Sequence, residues 1–292
     1  MDRYVITDKA EMERRRLEKE KRLARSRAIE DRMVQIRKGD SVDTTVDPVK
    51  AADNPFIWAV YRLSKTLFET LKGTYVTMLV YLSSYSDYSG HVQFKRRCAT
   101  RRDLPELLGV TEREVYNFWK AVTELGICSE KNGVVCLNRN YFRRGTVTPS
   151  ELKTMAGRDT YVTRLYINAV RGLYQTAEKR SRKTLAYLFQ ILPYVNRQYN
   201  IICHNPLEEN LNLIQPMTLG QFCDTVGYDS THVNRLFYAL LQPTFCICGE
   251  REGAIRYVVA DNGGRSTYQI FINPNVYYAG SNWEKVRVLG KF

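Results

Sequence analysis

The chain carries one segment twice, and that duplication limits its fold more than any other feature of the 292 residues. ATRRDLPELLGVTEREVYNFWKAV, starting at Ala99, aligns with MTLGQFCDTVGYDSTHVNRLFYALL, starting at Met217, at a single offset of 118. The offset matches Thr100 with Thr218, Gly109 with Gly227, Thr111 with Asp229, Val115 with Val233, Trp119 with Phe237 and Val122 with Leu240. In each copy Thr100 or Thr218 opens a short helix, and Asp103 or Gln221 stands three residues on, where its side chain can close a capping box. Gly109 or Gly227 supplies the permissive backbone of a tight turn, after which Thr111 with Glu114, or Asp229 with His232, caps a second helix. This is the spacing of a helix-turn-helix.

Helical periodicity gives the second helix two faces. Val115, Phe118, Trp119 and Val122 share the inner one, and Glu112, Arg113, Tyr116, Asn117 and Lys120 point outward. The outer set of the second copy is Ser230, Thr231, His232, Asn234, Arg235 and Tyr238. A β-hairpin wing is expected after each helix: Gly126 to Leu137 in the first copy, and a longer one over Thr244 to Ile272 in the second, where Asn262-Gly263 is a turn signal. The two endings echo each other, Leu137-Asn138-Arg139-Asn140-Tyr141-Phe142 against Ile272-Asn273-Pro274-Asn275-Val276-Tyr277, now at an offset of 135.

The flanks complete the architecture. Residues 9–38 are dense in both charges with sparse apolar positions, which suits a solvated helix as well as a DNA- or partner-binding arm, and 39–53 read as a linker. Asn54-Pro55 reads as an N-cap and first turn opening an amphipathic helix through Phe56, Ile57, Val60, Leu63, Leu67 and Leu71, ended near Gly73. Tyr75, Met78, Leu79 and Leu82 mark the first helix of the first unit. Thr148 to Glu151 opens another capped helix, and amphipathic stretches follow over 160–175 and 178–194, the latter with Leu185, Leu188, Phe189 and Leu192 on one face. The expected fold is mainly α with small β wings (α+β): an arm and linker at 1–53, a first winged helix-turn-helix unit at 54–147, connecting helices at 148–177 and a second unit at 178–292.

The formal charge of +13 means that the surface attracts polyanions, nucleic acid before all, with an anionic membrane as the competing reading. No signal peptide and no apolar run of spanning length is evident, so a cytoplasmic, nucleoid-associated protein is expected. Seven scattered cysteines suit reduced, mostly buried thiols. The three histidines, His91, His204 and His232, form no paired metal site of a nickase; no phosphate-binding loop occurs, and Cys246-x-Cys248 has the wrong spacing for zinc. No catalysis, no metal and no cofactor are expected.

A major groove admits one helix whose outer side chains can hydrogen-bond to base edges. The second copy suits this better than the first, whose Glu112 and Glu114 repel phosphates. Lys95, Arg96, Arg97, Arg101 and Arg102 beside the first unit, and Arg251, Arg256 and Arg265 on or beside the second wing, are candidates for backbone contacts. The ending Tyr268-Gln269-Ile270-Phe271-Ile272-Asn273-Pro274-Asn275-Val276-Tyr277-Tyr278-Ala279-Gly280 resembles that of winged-helix plasmid and phage replication initiators of the RepL type, within the MarR-like superfamily. The resemblance implies binding to origin double-stranded DNA and recruitment of host replication proteins. A transcriptional regulator, partnered by the transcription machinery, and a winged-helix module docking on a protein such as a polymerase are the alternatives. The helices expected at 55–71 and 160–176 are candidates for a homodimer contact.

Overall fold

A computed structural model describes residues 54–60, 70–148, 150–151, 162–179, 181–262, 265–280, 282, 284–287 and 292, so the expected N-terminal arm and linker lie outside the described residues. The fold mixes helices with small antiparallel sheets, and the described residues fall in one compact unit. In chain order the elements begin with β1 (Phe56–Val60), α1 (Gly73–Ser83), β2 (Gln93–Phe94) and β3 (Arg97–Cys98). They continue with α2 (Leu104–Leu108), α3 (Glu112–Glu124), β4 (Cys128–Lys131), β5 (Val134–Leu137) and β6 (Phe142–Arg143). The second half runs through β7 (Val162–Tyr166), α4 (Ile167–Thr176), α5 (Arg182–Ile191), α6 (Leu219–Thr225) and α7 (Val233–Leu241). It ends with β8 (Thr244–Ile247), β9 (Glu250–Gly253), β10 (Ile255–Asn262), β11 (Arg265–Ile272), β12 (Tyr277–Tyr278) and α8 (Glu284–Arg287).

Two expected helical starts are strands. Phe56–Val60 pairs along its whole length with Val162–Tyr166, in the register Phe56 to Tyr166, Trp58 to Arg164 and Val60 to Val162. Both segments are rich in aromatic and β-branched residues, which pack well on a pleated surface, and strand pairing overrides the helical spacing of Phe56, Ile57 and Val60. The remainder of the expected helix, 61–69, lies outside the described residues; Thr70 is helical, so a helix does end just before Gly73, and Gly73 itself opens α1. The stretch expected as a helix from residue 160 is β7 followed by α4, so the presumed connection at 148–177 contains a strand of the central sheet. At its start, Thr148 and Glu151 exchange the bonds of a capping box, Glu151 N–H to Thr148 Oγ1 at 3.2 Å and Thr148 N–H to Glu151 Oε2 at 2.9 Å. The helices expected around Met78 and Leu185 form as α1 and α5, with Met78, Leu79, Leu82, Leu185, Leu188 and Phe189 buried.

The central sheet has the order β12-β7-β1-β6, and the duplication governs it. Val60 N–H donates to Tyr141 O at 3.1 Å, and Tyr166 N–H donates to Val276 O at 3.1 Å. Val60 therefore corresponds to Tyr166, and Trp58 to Arg164. The equivalence reaches the side chains: Trp58 Nε1 donates to Gly145 O at 2.7 Å, and Arg164 donates to the matching carbonyl of Gly280. Because Trp58 pairs with its own counterpart, a local twofold axis passes between these two residues. The helices obey the same axis. A Cβ on Gly73 would lie 3.1 Å from the Ala186 Cβ, and Thr77 Oγ1 donates to Arg182 O at 3.1 Å, which exchanges equivalent positions of α1 and α5.

Further pairs follow the duplication through the hairpins. Leu137 N–H bonds to Gly90 O at 2.8 Å and Ile272 N–H to Asn200 O at 3.0 Å; Asn138 N–H bonds to Ile127 O at 2.8 Å and Asn273 N–H to Ala254 O at 2.9 Å. Asn138 Nδ2 caps Gly126 O, and Asn273 Nδ2 caps Gly253 O, both at 2.9 Å. Gly253 is thus the counterpart of Gly126, and the β10–β11 hairpin that of β4–β5. The single long wing expected over Thr244–Ile272 is in fact two hairpins. The first, β8–β9, is an insertion between α7 and the counterpart of the first copy's hairpin.

Candidate nucleic-acid interface

The helix pair of each copy forms as its capping residues dictate. In the first, Thr100 and Asp103 close a capping box on a 3-10 turn that runs into α2, and Gly109 adopts φ +61°. Thr111 and Glu114 close a second box at the start of α3. In the second, Thr218 and Gln221 cap α6 and Gly227 adopts φ +68°. The start of the following helix differs from expectation. Asp229 Oδ1 accepts the N–H of Thr231 at 2.9 Å and its hydroxyl at 2.8 Å, Ser230–His232 form a 3-10 turn, and α7 begins at Val233. His232 makes no box; its Nε2 lies 3.9 Å from Asp229 Oδ2. The two Thr231 bonds hold the Asp229 carboxyl below its ordinary range.

Inner and outer faces separate as the periodicity requires. Val115, Phe118, Trp119 and Val122 are buried, as are Leu236, Phe237 and Leu240, the Phe237 ring meeting Phe222 edge-on at 5.1 Å. Ser230, Thr231, His232, Asn234, Arg235 and Tyr238 are all exposed, the first three on the 3-10 turn and the others on α7. Arg113, Tyr116, Asn117 and Lys120 are likewise exposed on α3, interleaved with Glu112 and Glu114, and Lys120 Nζ stands 3.9 Å from Glu124.

The basic cluster beside the first helix pair divides into engaged and open cations. Lys95 and Arg96, at φ 49° and 63°, form the two-residue turn of the β2–β3 hairpin. Lys95 pairs with Glu106 at 2.6 Å, and Arg97 grips Asp103 through both terminal nitrogens at 2.7 and 2.8 Å. These two are therefore compensated within the chain. Arg96 and Arg102 are exposed with no carboxylate in bonding reach among the described residues, and Arg101 lies 5.7 Å above the Tyr116 ring. On the second half, Arg251 is exposed on β9 and so belongs to the inserted hairpin. Arg256 is half-buried on β10, opposite Phe271; the Arg265 side chain lies outside the described ones.

Two groups escaped the reading from sequence. Arg182, at the start of α5, donates to Leu108 O at 3.1 Å and lies 4.2 Å over the Tyr174 ring, while Tyr174 Oη donates to the same carbonyl at 2.7 Å. Burial pushes the Tyr174 hydroxyl up to about 12. Together they fix the turn before α3 and border a cavity of about 340 Å³ that also touches Thr77, Thr111 and Lys179. The second group is Glu252, a buried carboxylate that accepts from Asn273 Nδ2 at 2.7 Å and Asn275 Nδ2 at 3.1 Å. The Asn-Pro-Asn ending thus faces the interior and fastens the inserted hairpin to the end of β11.

Cys246 and Cys248 are exposed and free, Cys128, Cys136, Cys203 and Cys223 are buried, and burial drives the Cys203 thiol up to about 11. Among the described residues no cluster of three or more His, Cys, Asp or Glu is placed to hold a metal, and no helix is long and apolar enough to cross a membrane. In comparisons with known proteins, the chain matches no family model, no curated protein and no solved structure.

Proposed function

We propose that this chain binds double-stranded DNA through two winged helix-turn-helix units, presenting α3, and α7 with the Ser230–His232 turn before it, as paired readers. One observation carries the reading: two capped, glycine-turned helix pairs, each followed by a hairpin, are related by an internal twofold axis and expose polar side chains on their second helices. The net charge of +13 supports a polyanionic partner. A twofold-related pair of readers fits DNA half-sites in inverted orientation, and because the exposed side chains differ between the helices, the half-sites differ in sequence.

Asn and Arg are the side chains that best read adenine and guanine in the major groove, so Asn234 and Arg235 are assigned to base contacts. The ending at Tyr268–Gly280 extends the reading to an origin-binding replication initiator, by its resemblance to RepL-type initiators. Binding is tested by selecting bound duplexes from a random pool and titrating salt on the winner. Asn234→Ala and Arg235→Ala should each cost roughly 1–3 kcal/mol on the selected site and relax preference at one position. Binding that ignores salt, or no duplex binding at all, would reject the proposal. The initiator role is tested separately, by asking whether the chain sustains an origin plasmid in a host that lacks it.

A further inference from the structure

Residues 203–216 of the second half stand where residues 93–98 stand in the first. The flanking backbone bonds are equivalent: Ala99 N–H to Val92 O at 2.7 Å, and Met217 N–H to Ile202 O at 3.0 Å. Where the first half needs six residues and a tight basic turn, the second inserts a longer loop that is held at both ends and through its middle. His204 N–H bonds to Gln215 O at 3.0 Å, Asn205 bonds to Leu213 O at 2.9 Å and to Gln215 N–H at 2.8 Å, and Asn196 Nδ2 reaches Glu208 O at 2.7 Å. Ile214 anchors the loop in a cluster with Ile201, Cys203 and Phe271. Yet this well-bonded loop holds Leu207, Leu211 and Leu213 in water, at 59%, 51% and 58% exposure. An ordered display of three leucines marks an interaction surface.

Charge identifies the occupant. Residues 203–216 contain no Lys or Arg, while Glu208 and Glu209 lie beside the exposed leucines, in a protein of net charge +13. A loop of this kind attracts a basic surface. The twofold-equivalent surface of the first half has the opposite character: Arg96 and Arg102 are open cations, Lys95 Nζ lies 5.2 Å over the Phe94 ring, and Arg101 covers the exposed Tyr116. Carboxylates flanked by leucines on one half match cations flanked by aromatics on the other.

We infer that the Leu207–Leu213 loop of one molecule docks on the Lys95–Arg102 surface of a second copy of this chain, a head-to-tail contact that leaves a free surface at each end for further copies. The contact does not depend on DNA binding, and because the same cations are candidates for phosphate contact, it is measured without DNA.

The full chain is followed by sedimentation from low to high micromolar concentration. The wild type should climb from 34.0 kDa past twice that mass, and fall back as salt is raised. A loop variant (Leu207→Ser, Leu211→Ser, Leu213→Ser) and a hairpin variant (Arg96→Ala, Arg102→Ala) should each remain single chains. Mixed in equal amounts, they should form a species of two chains and nothing larger, since each retains the surface the other lacks. If the triple-serine chain fails to fold, Glu208→Gln with Glu209→Gln serves as the loop variant. A wild type that stays at one chain throughout overturns the inference, as does a hairpin variant that associates like wild type or a mixture that does not pair.

Discussion

At the scale of single residues, Asp103 carries the electrostatics of the first helix pair. It closes the cap on Thr100 and takes both terminal nitrogens of Arg97, whose guanidinium, with the Thr100 N–H, holds the carboxyl far below the usual carboxylate range. The folded chain keeps Asp103 ionised at pH values where the unfolded chain protonates it. The resulting stability is therefore present above about pH 4 and fades as acid approaches the lowered folded value. Asp103→Asn should lower the urea midpoint at neutral pH, and the gap to wild type should close in acid. A gap of constant size would assign the loss to shape instead of charge. Arg182 permits a sharper test, because its guanidinium serves the carbonyl of Leu108 from a different half of the chain. Arg182→Met removes the guanidinium from over Tyr174 and leaves that acceptor with only the tyrosine, and should cost about 1–3 kcal/mol of stability by denaturant titration.

Among the elements, the inserted β8–β9 hairpin is the principal difference between the halves. It lies against α4 so closely that a Cβ on Gly172 would stand 2.5 Å from the Phe245 Cβ, and Thr176 Oγ1 joins the two by donating to Thr244 O at 2.7 Å. Gly172→Ala should push the hairpin off the helix, destabilising the chain by roughly 1–3 kcal/mol, with loss of protection at the β8 amides in hydrogen exchange. Unchanged stability would mean that the hairpin is only loosely seated. The same comparison of elements explains what could be read in advance. Capping boxes, turn glycines and the faces of α3 and α7 are local, so Thr100, Gly109, Thr111, Thr218 and Gly227 announced them. Strands β1 and β7 depend on each other across more than a hundred residues, and five-residue apolar runs do not declare their partner. The split of the second hairpin region was hidden for a related reason. Only the bonds of Asn273 to Gly253 and Ala254 reveal which strand continues the first copy's pattern. Candidate contact residues on the helices were legible from period alone, whereas the engagement of Lys95 and Arg97 by carboxylates needed coordinates.

For the whole molecule, the register of Trp58 on Arg164 makes each half the covering of the other. Residues 54–148 expressed alone would leave the β7 side of β1 and the α5 side of α1 bare. They should associate with one another, as light scattering can report; a stable single chain would show that the halves fold independently. A molecule built this way also settles a question of dosage. Two separate proteins that must meet before acting become useless when scarce, since their encounter thins out with dilution. Here the partner is supplied by the ribosome in the same strand of polypeptide, at a fixed ratio of one to one and at an effective concentration that no change in expression can lower. A single copy in a cell is already a complete pair.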